Sequence, residues 1–146
     1  MSDSADALLA HAVGDYVLQT DHMAVRKTQA HGPAALHALT YGLPFLALTR
    51  RWQPLAVIVG THFVIDRWRL AKRVVWAKNQ LAPALWRHPW DEHVSGTGYH
   101  QHAAFFSDDA CEAQSKPDYM AVWLMVFADN TMHALLNRWA LHRWSS

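Results

Sequence analysis

The sequence predicts an all-α protein, a bundle of four principal helices with a long irregular insertion before the last helix. Ala, Leu, Arg and Trp are frequent and runs of β-branched residues are short, which favours helix nearly everywhere. Proline or Gly-Pro steps stand where helices should begin or break. With 146 residues, 51% of them hydrophobic, we expect one domain over 1–146 with a real core.

Proline and glycine positions place the elements along the chain. Gly32 and Pro33 end the first helix and open the second, which Pro44 should kink or end early. Pro54 opens the third helix, and Pro117 precedes the fourth. The expected helices are 5–27, 33–48, 54–82 and 118–142. The irregular insertion covers about 83–116, and segments of this kind often form lids or binding loops.

Composition excludes several classes of protein. Cys111 is the only cysteine, so we expect neither an intramolecular disulfide nor a cysteine-based zinc site. The first residues lack the basic region of a secretory signal. The most apolar stretches are shorter than the roughly 20 residues of a membrane-spanning helix. We therefore expect a cytoplasmic protein, with membrane association as an alternative.

Positive charge is concentrated in the middle of the chain. Eight of the thirteen Lys and Arg residues lie between Arg50 and Arg87, where Asp66 is the only acidic residue. Such a local excess favours an anionic partner, either a small molecule such as a phosphate compound or a nucleic acid, although a solvated helix face would look the same. The eight tryptophans make a homodimer a further possibility.

Three segments pair a histidine with an aspartate four residues away. Residues at this spacing share one face of a helix, and nitrogen and carboxylate donors together suit Zn, with Mn, Fe or Co as alternatives. His37 adds an imidazole in the second helix. The predicted ligands of one or two divalent ions are His11, Asp15, His37, His62, Asp66, Asp129 and His133.

Other polar residues are predicted to lie around these ligands. Extending the third helix at 100° per residue puts Arg69 and Arg73 on the stripe of His62 and Asp66, where they would bind phosphate. Gln19 would orient a ligand or a water. Asp15, Asp66 or Asp129 would serve as ligand or base. A second group lies in the insertion and would close over a substrate or remain a solvated loop: His88, Asp91, His93, His100 and His102.

Two family resemblances accompany these motifs. The segments 8–21, 61–67 and 129–133 resemble the DUF3307 family of small bacterial and bacteriophage proteins, which implies the fold and the grouping of the motif residues but no activity. The ligand spacing also resembles that of zinc-dependent phospholipase C and the related single-strand nucleases, which are all-helical. That likeness implies a metal-bound water acting on a phosphoester.

Three hypotheses about function remain open. The first is a metal-dependent hydrolase acting on a phosphoester such as a nucleotide or a nucleic acid, with a metal-bound water as nucleophile. The second is a non-catalytic binding protein with a structural metal and a basic surface for a partner. The third is a membrane-associated helical protein.

Overall fold

The structure is a computed structural model that describes residues 4–84, 87, 89–91 and 118–145. Every regular element in these residues is helical, so the predicted all-α class is confirmed. Most of the predicted insertion, including His88, His93, His100 and His102, lies outside the described residues. Asp91 is described and is exposed.

Six α-helices and two short turns of other helical types occur in the described parts of the chain. The helices are α1 (Ser4–Ala12), α2 (Asp21–Arg26), α3 (His31–Gly42), α4 (Trp52–Trp68), α5 (Leu70–Asn79) and α6 (Asp118–Arg143). A π-helical turn, Val13–Val17, follows α1, and a 3₁₀ turn, Leu43–Ala47, follows α3. None of the helices in these parts is both long and apolar enough to cross a membrane.

The prediction of one continuous helix over 5–27 is wrong. The amide of Leu18 donates to the carbonyl of Val13 at 3.0 Å, a five-residue step that widens the helix into a π turn. The backbone of Thr20 is then extended, and its hydroxyl accepts from the amide of Met23 at 3.3 Å, which caps the start of α2. Asp15 therefore projects from a π turn.

The second helix behaves as Pro44 predicts. Because proline has no amide hydrogen, it cannot continue the hydrogen bonding of an α-helix interior. The α-helix ends at Gly42, and the chain tightens into the 3₁₀ turn with Pro44 in its first positions.

The prediction of one helix over 54–82 is also wrong. It divides at Arg69, whose φ of 49° and ψ of 48° place it in the left-handed region. A non-glycine residue rarely adopts this conformation, so the sequence carries no signal for the break. Arg69 is exposed, and the Arg73 guanidinium lies 6.0 Å from the centre of the Trp90 ring. The continuous stripe through Arg69 and Arg73 does not exist, so their binding of phosphate remains a prediction without its original geometric basis.

The chain divides into two compact units, Met1–Leu70 with Asp129–Ser146, and Ala71–Ala128. In the first unit, α3 packs against α4, and the core includes Tyr41, Phe45, Ile58 and Ala140. In the second unit, α5 buries Ala71 and Val75. All seven predicted metal ligands belong to the first unit.

Gly14 allows the π turn to approach α3. A Cβ atom at this position would lie 2.6 Å from Cδ2 of Tyr41 and 3.0 Å from its carbonyl oxygen. We expect Gly14→Ala to lower the free energy of unfolding by about 1–3 kcal/mol, because a buried ring and a backbone must both shift. Urea unfolding followed by circular dichroism measures this effect.

Gly60→Ala is the matched control, because a Cβ atom there meets nothing within 4 Å. Alanine favours a helix interior over glycine by about 1 kcal/mol, so this variant should be at least as stable as the wild type. Equal stability of Gly14→Ala and the wild type would show that the close approach to Tyr41 is unimportant.

Candidate metal centre

Six of the predicted ligands converge in the first compact unit. Asp15 comes from the π turn, and His37 comes from α3. The four-residue spacing within α4 and within α6 points each His and Asp of a pair toward the same region. Asp15, His37, His62, Asp66 and His133 are buried, whereas the Asp129 side chain is 31% exposed. The cluster is thus enclosed except near Asp129.

The first group of ligand atoms, here called the closed set, consists of Asp15 Oδ1, His37 Nε2, His62 Nε2 and Asp66 Oδ2. The two Nε2 atoms lie 2.9 Å apart. His37 Nε2 lies 3.3 Å from Asp15 Oδ1 and 3.2 Å from Asp66 Oδ2. The matching distances from His62 Nε2 are 3.4 and 3.1 Å.

These distances fit a tetrahedral metal site. With metal–ligand distances of about 2.0–2.1 Å, the ligands of a regular tetrahedron lie about 3.3–3.4 Å apart. The five measured separations, 2.9–3.4 Å, fall at or just below that value. His37, His62 and Asp66 therefore have the donors and the spacing to hold one divalent ion, and Asp15 Oδ1 lies within 3.4 Å of both imidazole nitrogens as a fourth candidate ligand.

A second group, here called the open set, consists of Asp66 Oδ1, His133 Nε2 and Asp129 Oδ2. His133 Nε2 lies 3.5 Å from the Asp66 oxygen and 3.6 Å from the Asp129 oxygen. Each of the three residues offers one ligand atom, and these atoms lie within 4.8 Å of one another. Three protein ligands lie here among the residues that the structure describes, and a set of three leaves a coordination position for water.

Both sets contain a buried polar atom that lacks a well-formed hydrogen bond. Among the described residues, Asp15 Oδ1 and His133 Nε2 have no hydrogen-bond partner of acceptable geometry. An unsatisfied buried polar atom costs about 1–3 kcal/mol, and the cost is greater for a charged group. A cation placed between the ligand atoms would remove this cost.

A match to a known family covers most of the chain. The family model described as "Protein of unknown function (DUF3307)" matches residues 5–108. The chain belongs to the DUF3307 family. All four residues of the closed set fall inside the matched region, whereas Asp129 and His133 lie beyond it.

Other comparisons add no named relative to this DUF3307 chain. No curated protein and no solved structure matches it. The resemblance to zinc-dependent phospholipase C and the single-strand nucleases therefore gains no support. The His and Asp cluster itself is the basis for any inference about chemistry.

Lys27 contacts the cluster, although no motif in the sequence indicates it. Its Nζ lies 2.9 Å from Asp66 Oδ2 and 3.4 Å from His37 Nε2. It also donates to Gln19 Oε1 at 2.8 Å, so Gln19 holds Lys27 beside the closed set. In the absence of a metal ion, this ammonium group balances part of the negative charge of Asp66.

His11 lies beside the cluster and its two ring nitrogens face other partners. The Asn137 amide donates to the Tyr41 hydroxyl, which leaves that hydroxyl free to donate to His11 Nδ1 at 2.8 Å. His11 Nε2 then donates to Asn130 Oδ1 at 2.9 Å. Burial lowers the pKa of His11, which favours its neutral form. Both ring nitrogens of His11 thus have hydrogen-bond partners, and Nδ1 also lies 3.4 Å from Asp15 Oδ2. The metal ligation predicted for His11 stays a prediction.

The tyrosine of this network also packs against a candidate ligand. The Tyr41 ring stacks on the His62 ring with centroids 3.6 Å apart and an interplanar angle of 12°. Tyr41 follows His37 by four residues, and Asn137 follows His133 by four residues. The four-residue spacing that indicated the candidate ligands could therefore also have indicated Tyr41 and Asn137. No comparable spacing indicates Lys27.

The histidines and aspartates of the cluster shift one another's pKa values. Burial lowers the pKa of His62 to about 4, so this imidazole is neutral. Burial acts in the same direction on His133, but Asp129 and Asp66 offset it and raise the pKa of His133 to about 9. Burial would raise the pKa of Asp66, but the surrounding histidines lower it well below its usual range. Without a metal ion, Lys27 and protonated His133 face ionised carboxylates.

Proposed function

We propose that the protein is a divalent-metal-dependent hydrolase acting on a phosphoester, such as a nucleotide or a nucleic acid. The observation that carries the proposal is the convergence of six His and Asp side chains into two sets of ligand atoms, one closed and one open. Nitrogen and carboxylate donors suit Zn first, with Mn, Fe or Co as alternatives. A divalent ion lowers the pKa of a bound water and polarises the phosphoryl group.

The protein side chains supply the remaining functions of such a site. Asp129 is the most exposed carboxylate of the cluster, so it can accept a proton from a water molecule and pass it to solvent. Lys27 lies beside Asp66, and its side chain is 18% exposed. Its ammonium group can contact an anionic oxygen of the substrate. The basic residues between Arg50 and Arg87 favour an anionic substrate in general.

Metal content and hydrolysis test the proposal on the purified full chain. We expect bound transition metal by elemental analysis, and metal-dependent cleavage of bis(p-nitrophenyl) phosphate or of single-stranded oligonucleotides that a chelator abolishes. Asp129→Asn should lower the rate by 100-fold or more, at the lower end of what a positioned acid or base contributes (about 10²–10⁴-fold). Asp21→Asn, which changes an exposed aspartate on α2, should retain the wild-type rate. Absence of bound metal, or cleavage that a chelator does not affect, would refute the proposal.

A second candidate is a binding protein whose metal is structural. The closed set favours it, because four buried protein ligands are typical of structural zinc sites. In that case the purified protein would contain metal, would cleave neither substrate, and would unfold when the metal is removed. Its basic surface would then bind an anionic partner such as a nucleic acid.

A further inference from the structure

We infer that the cluster holds two divalent ions joined by the Asp66 carboxylate, and that the ion in the open set binds more weakly than the ion in the closed set. This inference deepens the proposed function, on which its catalytic meaning rests. The ion of the open set would be the one that carries the reactive water, because the described part of the chain supplies three ligands to that set and four to the closed set.

The two oxygens of Asp66 face different sets. Oδ2 lies 3.1–3.2 Å from His62 and His37, whereas Oδ1 lies 3.5 Å from His133. A carboxylate in this arrangement can bind one ion through each oxygen. Ions bridged in this way lie about 3.5–4 Å apart in enzymes that use two metals for phosphoryl chemistry.

The Nε2 atom of His133 faces the second position. The residue is 1% exposed, and its Nε2 has no hydrogen-bond partner of acceptable geometry among the described residues. That nitrogen is directed between an oxygen of Asp66 and an oxygen of Asp129. An ion in the open set would satisfy this nitrogen and both oxygens together.

Charge explains why the two affinities should differ. Asp15, Asp66 and Asp129 contribute three negative charges, and Lys27 contributes one positive charge. One divalent ion therefore neutralises the cluster when the histidines are neutral. A second ion adds two further positive charges at a short distance, which lowers its affinity and favours hydroxide over water on it.

The contact between His62 and His133 also lowers the affinity for the second ion. Their Nδ1 atoms lie 3.2 Å apart, a separation at which one hydrogen is shared between them. If both Nε2 atoms hold ions, both Nδ1 atoms carry a hydrogen and this hydrogen bond is lost. Binding of the second ion must turn one ring away from the other.

Metal titration of the full chain tests the inference without reference to activity. Calorimetric titration of the metal-free protein with Zn²⁺ should give two equivalents, the second with a dissociation constant at least about 10-fold higher, as expected for a lost hydrogen bond and added repulsion. Loading with Mn²⁺ should give an electron paramagnetic resonance signal typical of two coupled ions.

Two variants locate the weaker ion. Asp129→Asn and His133→Gln should each bind one equivalent with the affinity of the first wild-type site, and Asp21→Asn should keep both equivalents. Circular dichroism checks that each variant folds. A single equivalent in the wild type, two equal affinities, or two equivalents retained in both variants would overturn the inference. Two equivalents without any hydrolysis would instead refute only the proposed function.

Discussion

Asp66→Asn is expected to abolish tight metal binding and to destabilise the metal-free protein. The carboxylate contributes an oxygen to each set and lies 2.9 Å from Lys27. An amide cannot supply two anionic oxygens, so metal affinity should fall by more than the roughly 10–100-fold typical of residues that only support ligands. Loss of the buried charge leaves Lys27 uncompensated, at a cost of about 3–5 kcal/mol. Elemental analysis and urea unfolding measure the two effects.

Asp21→Asn serves as the control, because that carboxylate is exposed at the start of α2. It should retain the bound metal and change stability by no more than about 1 kcal/mol, the usual size of a charge effect at a helix end. If Asp66→Asn retained metal with wild-type affinity, Asp66 would not be a ligand and the shared carboxylate would have to be abandoned.

Zinc should stabilise the folded protein strongly and reversibly. An ion that binds the native state at 1,000 times its dissociation constant adds about 4 kcal/mol to the free energy of unfolding. The gain depends on the closed set, because its ligand atoms converge only in the folded chain. Thermal unfolding with and without Zn²⁺, followed by addition of a chelator, measures it.

Paired histidine variants identify the source of this gain. His37→Gln removes a buried nitrogen of the closed set and should lose most of the zinc-dependent stabilisation. His22→Gln changes an exposed histidine on α2 and should keep it. Equal stabilisation of both variants would place the ion elsewhere in the protein.

The sequence was informative about the centre wherever both partners lie on one helix. His62 with Asp66, and Asp129 with His133, could be recognised because a spacing of four residues fixes their common direction. The same spacing also selected His11 with Asp15. These two side chains have different contacts, because the π turn directs Asp15 into the closed set while His11 hydrogen-bonds to Tyr41 and Asn130.

The predicted alignment of two arginines with the candidate ligands depended on extrapolation along a helix, and it is wrong. Arg69 and Arg73 were aligned with the ligands on the assumption of a straight third helix, and the left-handed backbone at Arg69 removes that alignment. Lys27 could not be predicted from the sequence, because it is the C-terminal cap of α2 and contacts Asp66 on a different helix. Contacts of this kind depend on how separate helices pack and not on any local spacing.

The sequence alone therefore predicts the helical class, the effect of Pro44 on the second helix, and most members of the candidate centre. These features follow from local backbone preferences and from the 3.6-residue period of a helix. The packing of separate helices establishes which donor atoms lie close together, how Asp66 contributes one oxygen to each set, and which ammonium group faces Asp66 in the absence of metal. Those outcomes depend on distances of about 3 Å between atoms from different helices, which the spacing along one helix cannot fix.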